Sequence, residues 1–345
     1  MPNGTKPFLT ASRRQFMGGV AAASATIAMP AVVRAQSPMV MKISTPTLND
    51  SQHEWMKIFA REVEANTKGA IKGELYPASQ LGSAARTIEG TQLGSIQVNV
   101  LPPEFLSGVD SRYELLGAPG LFKDLAHGQR CMQLPAVNSA FLNIGDAKGL
   151  RGIGLFVNAD AIFNSRNKLS STADLANKKI RVLASVIQTE QVKRLGGTGV
   201  PMTLGEVLPA VQQGTIDGMM GSLPVITALR FYDAAKYILE TKHSTVSVIS
   251  VASKVWYEAL PKEHQQIIDA AGQKASQEVF PWLIEFNESS RKVWTDHGGE
   301  IISLSPAAHA ELMTVMKPIG DFVASRKEAE KALFEVLKKT SETTA

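Results

Sequence analysis

Between Lys179 and Pro224 the hydrophobic pattern of the chain reads strand, helix, strand, helix, strand. Ile180 and Val182 alternate with Arg181, the period-two signature of a short strand over Lys179–Leu183. Ser185 and Gln188 have capping-box spacing and open a helix that reaches Leu195 and ends at Gly196–Gly197. Thr203 and Glu206 repeat that spacing. Leu204, Val207, Leu208 and Val211 then form the apolar stripe of a second helix, closed by Gly214 and interrupted by Pro209, which tends to kink it. Thr215–Met220 reads as the next strand. Gly218 within it suggests that something approaches the backbone closely. Two such βαβ units form a parallel sheet with right-handed crossovers, and ligands of such sheets bind at the carboxyl ends of the strands.

The same alternation occupies the first third of the chain. Residues 40–46 begin a strand, and Asp50–Asn66 carries Trp55, Ile58, Phe59 and Val63 at helical spacing. Gly73–Tyr76 and Ile96–Leu101 are further strands, with a helix over Ser83–Leu93 between them. Ile153–Asn158 and Thr245–Ala252 are β-rich runs far apart in sequence. From Ser253 onward the pattern is mainly helical. Pro261 suits a first helical position, and helix from Lys262 to His297 is expected to bend near Pro281. Gly298–Leu304 reads as turn and strand, Ser305 opens another helix, and Arg326–Lys338 is a charged helix with a solvated face. The whole is an α/β pattern. The 310 residues after position 35 (345 less 35) exceed the ~250–300 at which single cores stop growing, so two lobes are expected.

The first 35 residues change the charge picture. Ser12-Arg13-Arg14-Gln15-Phe16-Met17 is a twin-arginine pattern, followed by a mildly apolar run from Gly18 to Val33 and a small-residue cleavage site at Val33-Arg34-Ala35. The run is too weakly apolar for a membrane span of about 20 residues. Residues 1–35 therefore read as a signal peptide that sends the protein to the periplasm. The formal charge is +4, but the leader holds Lys6, Arg13, Arg14 and Arg34 and no acid. Without it the 36 Lys and Arg fall by four, to 32, and balance the 32 Asp and Glu. Bulk charge gives no case for nucleic acid or an anionic membrane. The single cysteine, Cys131, permits no intramolecular disulfide and reads as a buried or partly buried thiol.

Candidate chemistry is sparse. Arg181 at a strand end can donate two parallel hydrogen bonds to a carboxylate; a surface ion pair is the plainer alternative. Gln80 and Arg86 follow another strand end, where a ligand or only solvent awaits them. Twin-arginine export often serves cofactor enzymes, which makes an exported enzyme the main rival. One cysteine rules out a four-thiolate iron–sulfur cluster, and His53, His127, His243, His264, His297 and His309 lack paired ligand spacing. P-loop, G-x-G-x-x-G and G-x-S-x-G motifs are absent. Gly196-Gly197-Thr198-Gly199 lies between helix and strand, the wrong side for phosphate. No catalytic residue, metal or cofactor is expected.

Several segments carry a resemblance when taken in order. They are Tyr76-Pro77-Ala78-Ser79-Gln80-Leu81-Gly82, Ile88-Glu89, Gly94-Ser95-Ile96-Gln97, Leu116–Phe122 with Asp124, and Asn164-Ser165 with Asp174-Leu175. Lys179-Ile180-Arg181-Val182 and the run from Pro201 through Glu206-Val207 to Asp217-Gly218 complete the set. Together they resemble the solute-binding proteins of tripartite ATP-independent periplasmic (TRAP) transporters, the DctP-like family, over essentially all of the chain after residue 38. The resemblance implies a two-lobe α/β periplasmic binding protein fold with a hinge, class II-like and of the TRAP solute receptor type. Lobe I would be 36–158 plus 247–286, and lobe II 159–246 plus 287–345. Such a protein captures a small organic acid and passes it to the TRAP permease subunits in the membrane, as a monomer or a dimer, without making or breaking a bond. An exported enzyme and a ligand-presenting sensor of the same fold remain the alternatives.

Arg181 inherits the family's salt bridge to the ligand carboxylate. Met219, Gly221 and Ser222 lie beside it, Phe156 and Asn158 fall at the lobe crossing, and Gln80 and Arg86 face from the other lobe. The chain also departs from the family. Met219-Met220-Gly221-Ser222 stands where Q-E-N-P is usual, so Gly221 replaces an asparagine that also touches the carboxylate. Asp160 stands where a second arginine is common, and Pro209 where Thr or Ser is preferred. These changes point away from C4-dicarboxylates and sialic acids, toward a more apolar or bulkier acid, with Ser222 restoring part of the lost hydrogen bonding.

Overall fold

The computed structural model describes Gly4 and residues 37–345; the twin-arginine segment and its cleavage site lie outside the described residues. Strand β1 (Met39–Ser44), helix α1 (Ser51–Asn66), β2 (Ile71–Tyr76), α2 (Ala84–Gln92) and β3 (Val98–Leu101) form the first βαβαβ run. Two 3₁₀ segments, Pro103–Leu106 and Ser111–Gly117, lead to α3 (Leu125–Gln133) and α4 (Pro135–Leu142). The 16-residue β4 (Leu150–Ser165) then opens the second run: β5 (Lys179–Val182), α5 (Val186–Arg194), β6 (Thr198–Pro201), α6 (Leu204–Gln213), β7 (Gly218–Ser222), α7 (Leu223–Ala228) and β8 (Tyr237–Glu240). β9 (Thr245–Ser253), α8 (Lys254–Ala259), the 35-residue α9 (Lys262–Asp296), β10 (Glu300–Ser303), α10 (Pro306–Met316), α11 (Pro318–Ala324) and α12 (Glu328–Thr343) complete the chain.

The main path of the sheet runs β2-β1-β3-β9-β4-β7-β5-β6. In each half one central strand has two parallel partners: β1 with β2 and β3, and β5 with β6 and β7. β9 lies antiparallel to β3, and β4 antiparallel to β7. β4 belongs to both halves. Its residues Leu150–Asp160 pair with β9, and Ala161–Ser165 then pair with β7. It is far longer than its apolar core Ile153–Asn158 suggests, because helices cover both faces. Leu155 and Val157 pack with Phe141, while Phe156 on the opposite face packs with Trp55 and Val248.

The expected βαβ units are present, with shifted ends. β7 starts at Gly218 rather than Thr215, because the amides of Thr215 and Ile216 turn back onto the Ala210 carbonyl. The close approach at Gly218 is backbone: a Cβ there would lie 2.0 Å from the Asn164 carbonyl oxygen of β4. α9 continues through Pro281 and packs on α1, β4 and α7, so it touches both halves of the sheet. α12 packs on α3, α4 and the Ser111–Gly117 turn, because Leu333, Phe334 and Leu337 join the cluster of Tyr113, Val137 and Phe141. Residues 328–343 are thus tied to the first half of the molecule, not only to the second. Cys131 is a buried free thiol. No helix among the described residues is long and apolar enough to cross a membrane.

Candidate ligand-binding site

Arg181 is the third residue of β5, paired in register with Val200 on β6 and Met219 on β7. Ile180 and Val182 turn into an apolar cluster with Phe163 and Val192, which sends Arg181 to the other face. There it is only 3% exposed. Its Nε donates to the Met202 carbonyl at 3.0 Å, and its buried Nη2 has no hydrogen-bond partner. No carboxylate of the described residues forms an ion pair with it. Burial alone pulls its pKa down to about 10, so it stays cationic at neutral pH.

Arg181 lines a cavity at the carboxyl ends of the strands, with about 510 Å³ of atom-free space, partly continuous with solvent. The second half of the chain contributes Leu183, Gln188, Leu204, Met219, Met220, Gly221, Ser222 and Val225. The first half and the crossing contribute Pro46, Thr47, Gln52, Pro102, Phe105, Asn158 and Val246. Gly221 shares the face of Arg181 and Met219. Its missing side chain leaves room for Met219, whose terminal Cε lies 2.6 Å from where a Cβ at 221 would be.

Asn158 owes its position to a β-bulge. The β4–β9 register shifts between Val157 and Ala159, leaving Asn158 as the extra residue. Its Oδ1 accepts from Ser51 Oγ at 2.7 Å, and its Nδ2 donates to Ser222 Oγ at 3.4 Å. Its carbonyl accepts from Asn287 Nδ2 of α9 at 3.2 Å. One buried side chain therefore joins the start of α1 to the end of β7, and its backbone reaches the long helix.

The polar groups after β1 are tied to one another. Thr47 Oγ1 donates to Asp50 Oδ1 at 2.8 Å, Gln52 Nε2 to Asp50 Oδ2 at 3.3 Å, and Thr45 Oγ1 to Gln52 Oε1 at 3.2 Å. Asp50 is the N-cap of α1, and burial raises its pKa against the pull of the hydrogen bonds it accepts. Beside the cavity a second polar seam joins the halves. Glu114 Oε2 accepts from Ser185 Oγ at 2.9 Å and from the Val186 amide at 2.6 Å at the start of α5. Ser107 Oγ donates to the Ala184 carbonyl.

The structure brings Arg181, Met219, Gly221, Ser222 and Asn158 around this one cavity. Three further candidates lie elsewhere. Phe156 is fully buried in the core between α1 and α9, because β4 is covered on both faces. Gln80 is exposed on the turn after β2. Arg86 is exposed on α2 and borders a separate shallow groove with Lys42 and Glu89. Sequence reasoning missed Thr47, Gln52, Phe105, Leu204, Val225 and Val246. The carboxyl-end rule, applied to β1 and β3, points to the segments after them, which hold the first three. Met220 faces the Phe163 cluster and also borders the cavity. Among the described residues no group of acidic, histidine or cysteine side chains could hold a metal.

The family model described as bacterial extracellular solute-binding protein, family 7, matches residues 44–327. A solute-binding protein of Verminephrobacter eiseniae (strain EF01-2) is 30% identical over 247 residues, 71% of this chain and 73% of the relative. The 2,3-diketo-L-gulonate-binding periplasmic protein of Escherichia coli (strain K12) is 29% identical over 227 residues, 66% of this chain and 69% of the relative. Among solved structures, a TRAP periplasmic solute-binding protein from Desulfovibrio salexigens with bound orotic acid superposes with a TM-score of 0.83 at 24% identity, covering 88% of this chain and 98% of that one.

Proposed function

The chain belongs to the bacterial extracellular solute-binding protein family 7, and from that membership we propose that it is the solute receptor of a TRAP transporter, holding a small organic acid by a salt bridge between the ligand carboxylate and Arg181. Residues 1–35 serve as a twin-arginine signal peptide, and the mature protein works in the periplasm, handing its ligand to the permease subunits in the membrane. No bond is made or broken; the chemistry is capture and release.

One observation carries this reading: Arg181 is buried, cationic and without an anionic partner among the described residues, yet it borders a cavity. A buried charge is tolerated when it is paired. A carboxylate on Nη2 supplies the missing partner, and exclusion of water strengthens the bond. The cavity draws walls from both halves of the sheet, which supports a two-lobe receptor closing over its ligand, lobe I as 36–158 plus 247–286 and lobe II as 159–246 plus 287–345. The segments that cross, β4, β9 and α9, act as the hinge, with the bulge at Asn158 at its centre. α12 straps back onto α3 and α4. Met219, Gly221, Ser222 and Asn158 complete the ligand's surroundings.

A thermal-shift screen against a panel of organic acids, followed by calorimetry, tests the assignment. A ligand that binds only the folded state raises Tm by mass action. Arg181→Ala is expected to fold and to bind the best acid at least ~10-fold more weakly, the worth of about 1.4 kcal/mol. Unchanged affinity removes Arg181 from the anchor role.

A further inference from the structure

The cavity's charge count and its hydrogen-bond inventory constrain the ligand beyond its having a carboxylate. Arg181 is the sole charged side chain among the lining residues. A single negative charge satisfies it. A second carboxylate entering this space would meet no cation and would have to shed water uncompensated.

Most of the neutral polar capacity on the walls is already engaged. Thr47 donates to Asp50, and Gln52 sits between Thr45 and Asp50. Asn158 sits between Ser51 and Ser222. Gln188 Oε1 accepts the Leu183 amide at 2.8 Å. A ligand rich in hydroxyls would outnumber the donors left over and would have to break these bonds to satisfy the rest. The charged group with outstanding capacity is Arg181 Nη2; among the neutral groups Gln188 Nε2 and the Ser222 hydroxyl proton are uncommitted among the described residues. The remaining wall is hydrocarbon and thioether: Phe105, Leu183, Leu204, Met219, Val225 and Val246. Met219 is unbranched, and its flexible end, which already occupies the space over Gly221, can re-settle around an irregular body.

We propose that the ligand is a monocarboxylate with a compact apolar body, a branched aliphatic or aromatic acid, and that the site discriminates against dicarboxylates and polyhydroxy acids. This rests on the carboxylate anchor proposed above. The probes are isovalerate, phenylacetate, succinate and galacturonate, with phenylacetamide as the uncharged control. Each is measured by thermal shift and calorimetry on the wild-type protein and on Arg181→Met. Isovalerate or phenylacetate is expected to bind on the order of 10-fold or more tightly than succinate or galacturonate, because the second charge finds no cation and a full set of hydroxyls finds too few free partners. That binding is expected to vanish with the amide and in Arg181→Met.

Succinate or galacturonate binding more tightly, and losing it in Arg181→Met, overturns this inference and leaves the anchor standing. Monoacid binding that survives Arg181→Met overturns the anchor and with it the inference. No binding by either monoacid overturns the inference alone.

Discussion

Arg181 and Glu104 are both buried, and neither has an ionic partner among the described residues, yet the protein accommodates them in opposite ways. Glu104 lies in the Pro103–Leu106 turn, next to Phe105 of the cavity wall. Its Oε2 has no hydrogen-bond partner, and burial pushes its pKa up to about 8. A carboxyl group can escape an unfavourable burial by keeping its proton. Arginine has no such exit: even pulled down to about 10, Arg181 remains charged at any pH the protein meets. The unpaired acid is therefore a neutral side chain in a core, while the unpaired base is a standing demand for an anion. Position separates them as well, since Arg181 borders the cavity and Glu104 does not. An unpaired buried group marks a binding site when it cannot neutralise itself and has space in front of it.

Glu114 supplies the contrast of a buried acid that does have partners, and it gives the largest expected effect. Besides its hydrogen bonds to the start of α5, it lies 3.8 Å from Arg326. Glu114→Ala leaves those donors unsatisfied and is expected to cost ~3 kcal/mol in denaturant unfolding. A loss under ~0.5 kcal/mol would place Glu114 with ordinary surface groups. Next in size is Arg181→Met. Without ligand it is expected to stabilise the protein by ~1 kcal/mol or more, since an apolar group of similar length replaces an unpaired charge. A destabilised Arg181→Met protein would mean that the guanidinium is compensated without a ligand.

Glu104 gives a pH signature. Its ordinary value of 4.5 applies to the unfolded chain, whereas the folded protein keeps the proton up to about pH 8. Between those values the folded state holds more protons, so this group makes stability fall as pH rises, by up to ~1.4 kcal/mol per unit. Glu104→Gln is expected to flatten the stability profile between pH 6.5 and 8 and to raise Tm at pH 8. An unaltered slope would mean that Glu104 is ionised in the fold. Below pH 6.5 His243 acts in the other direction. Burial pulls it from 6.5 to about 4, so it makes stability fall as pH drops through that window. The two slopes oppose each other between about 4.5 and 6.5. The smallest effect belongs to Arg86→Ala. The side chain is exposed on α2, and affinity for the best acid is expected to change less than ~2-fold.

Where local chemistry fixes local structure, the sequence is readable. The capping residues Ser185 and Thr203 and the glycine stop at 214 place α5 and α6 closely, and the alternation around Arg181 reveals which way it faces. Packing over long sequence distances hides the rest. α3 and α4 are short helices whose Met132, Val137 and Phe141 find their partners in β4, the 3₁₀ turns and α12. β8 is four residues long and is held by β4 and β10. Phe156 reads as core more often than as cleft, and the cover on both faces of β4 makes it core. Gln80 and Arg86 follow a strand end as a ligand contact should, but the chain leaves the cavity before reaching them. Five of the sixteen lining residues, Pro46, Thr47, Gln52, Pro102 and Phe105, come from the segments after β1 and β3 and carry no motif of their own.

The order in which the sheet is stitched has a consequence for how the molecule comes into being. β3 is completed by β9, with Val98 opposite Ala252, and β4 is shared between the two halves. Neither half is a self-sufficient folding unit: the first waits for a strand made after the second, and the second borrows the tail of a strand begun in the first. Such distant pairings close large loops before they gain contacts, which slows folding. The first half therefore cannot finish its sheet until some 250 residues have been synthesised, and the two halves share one unbroken strand where β4 passes from β9 at Asp160 to β7 at Ala161.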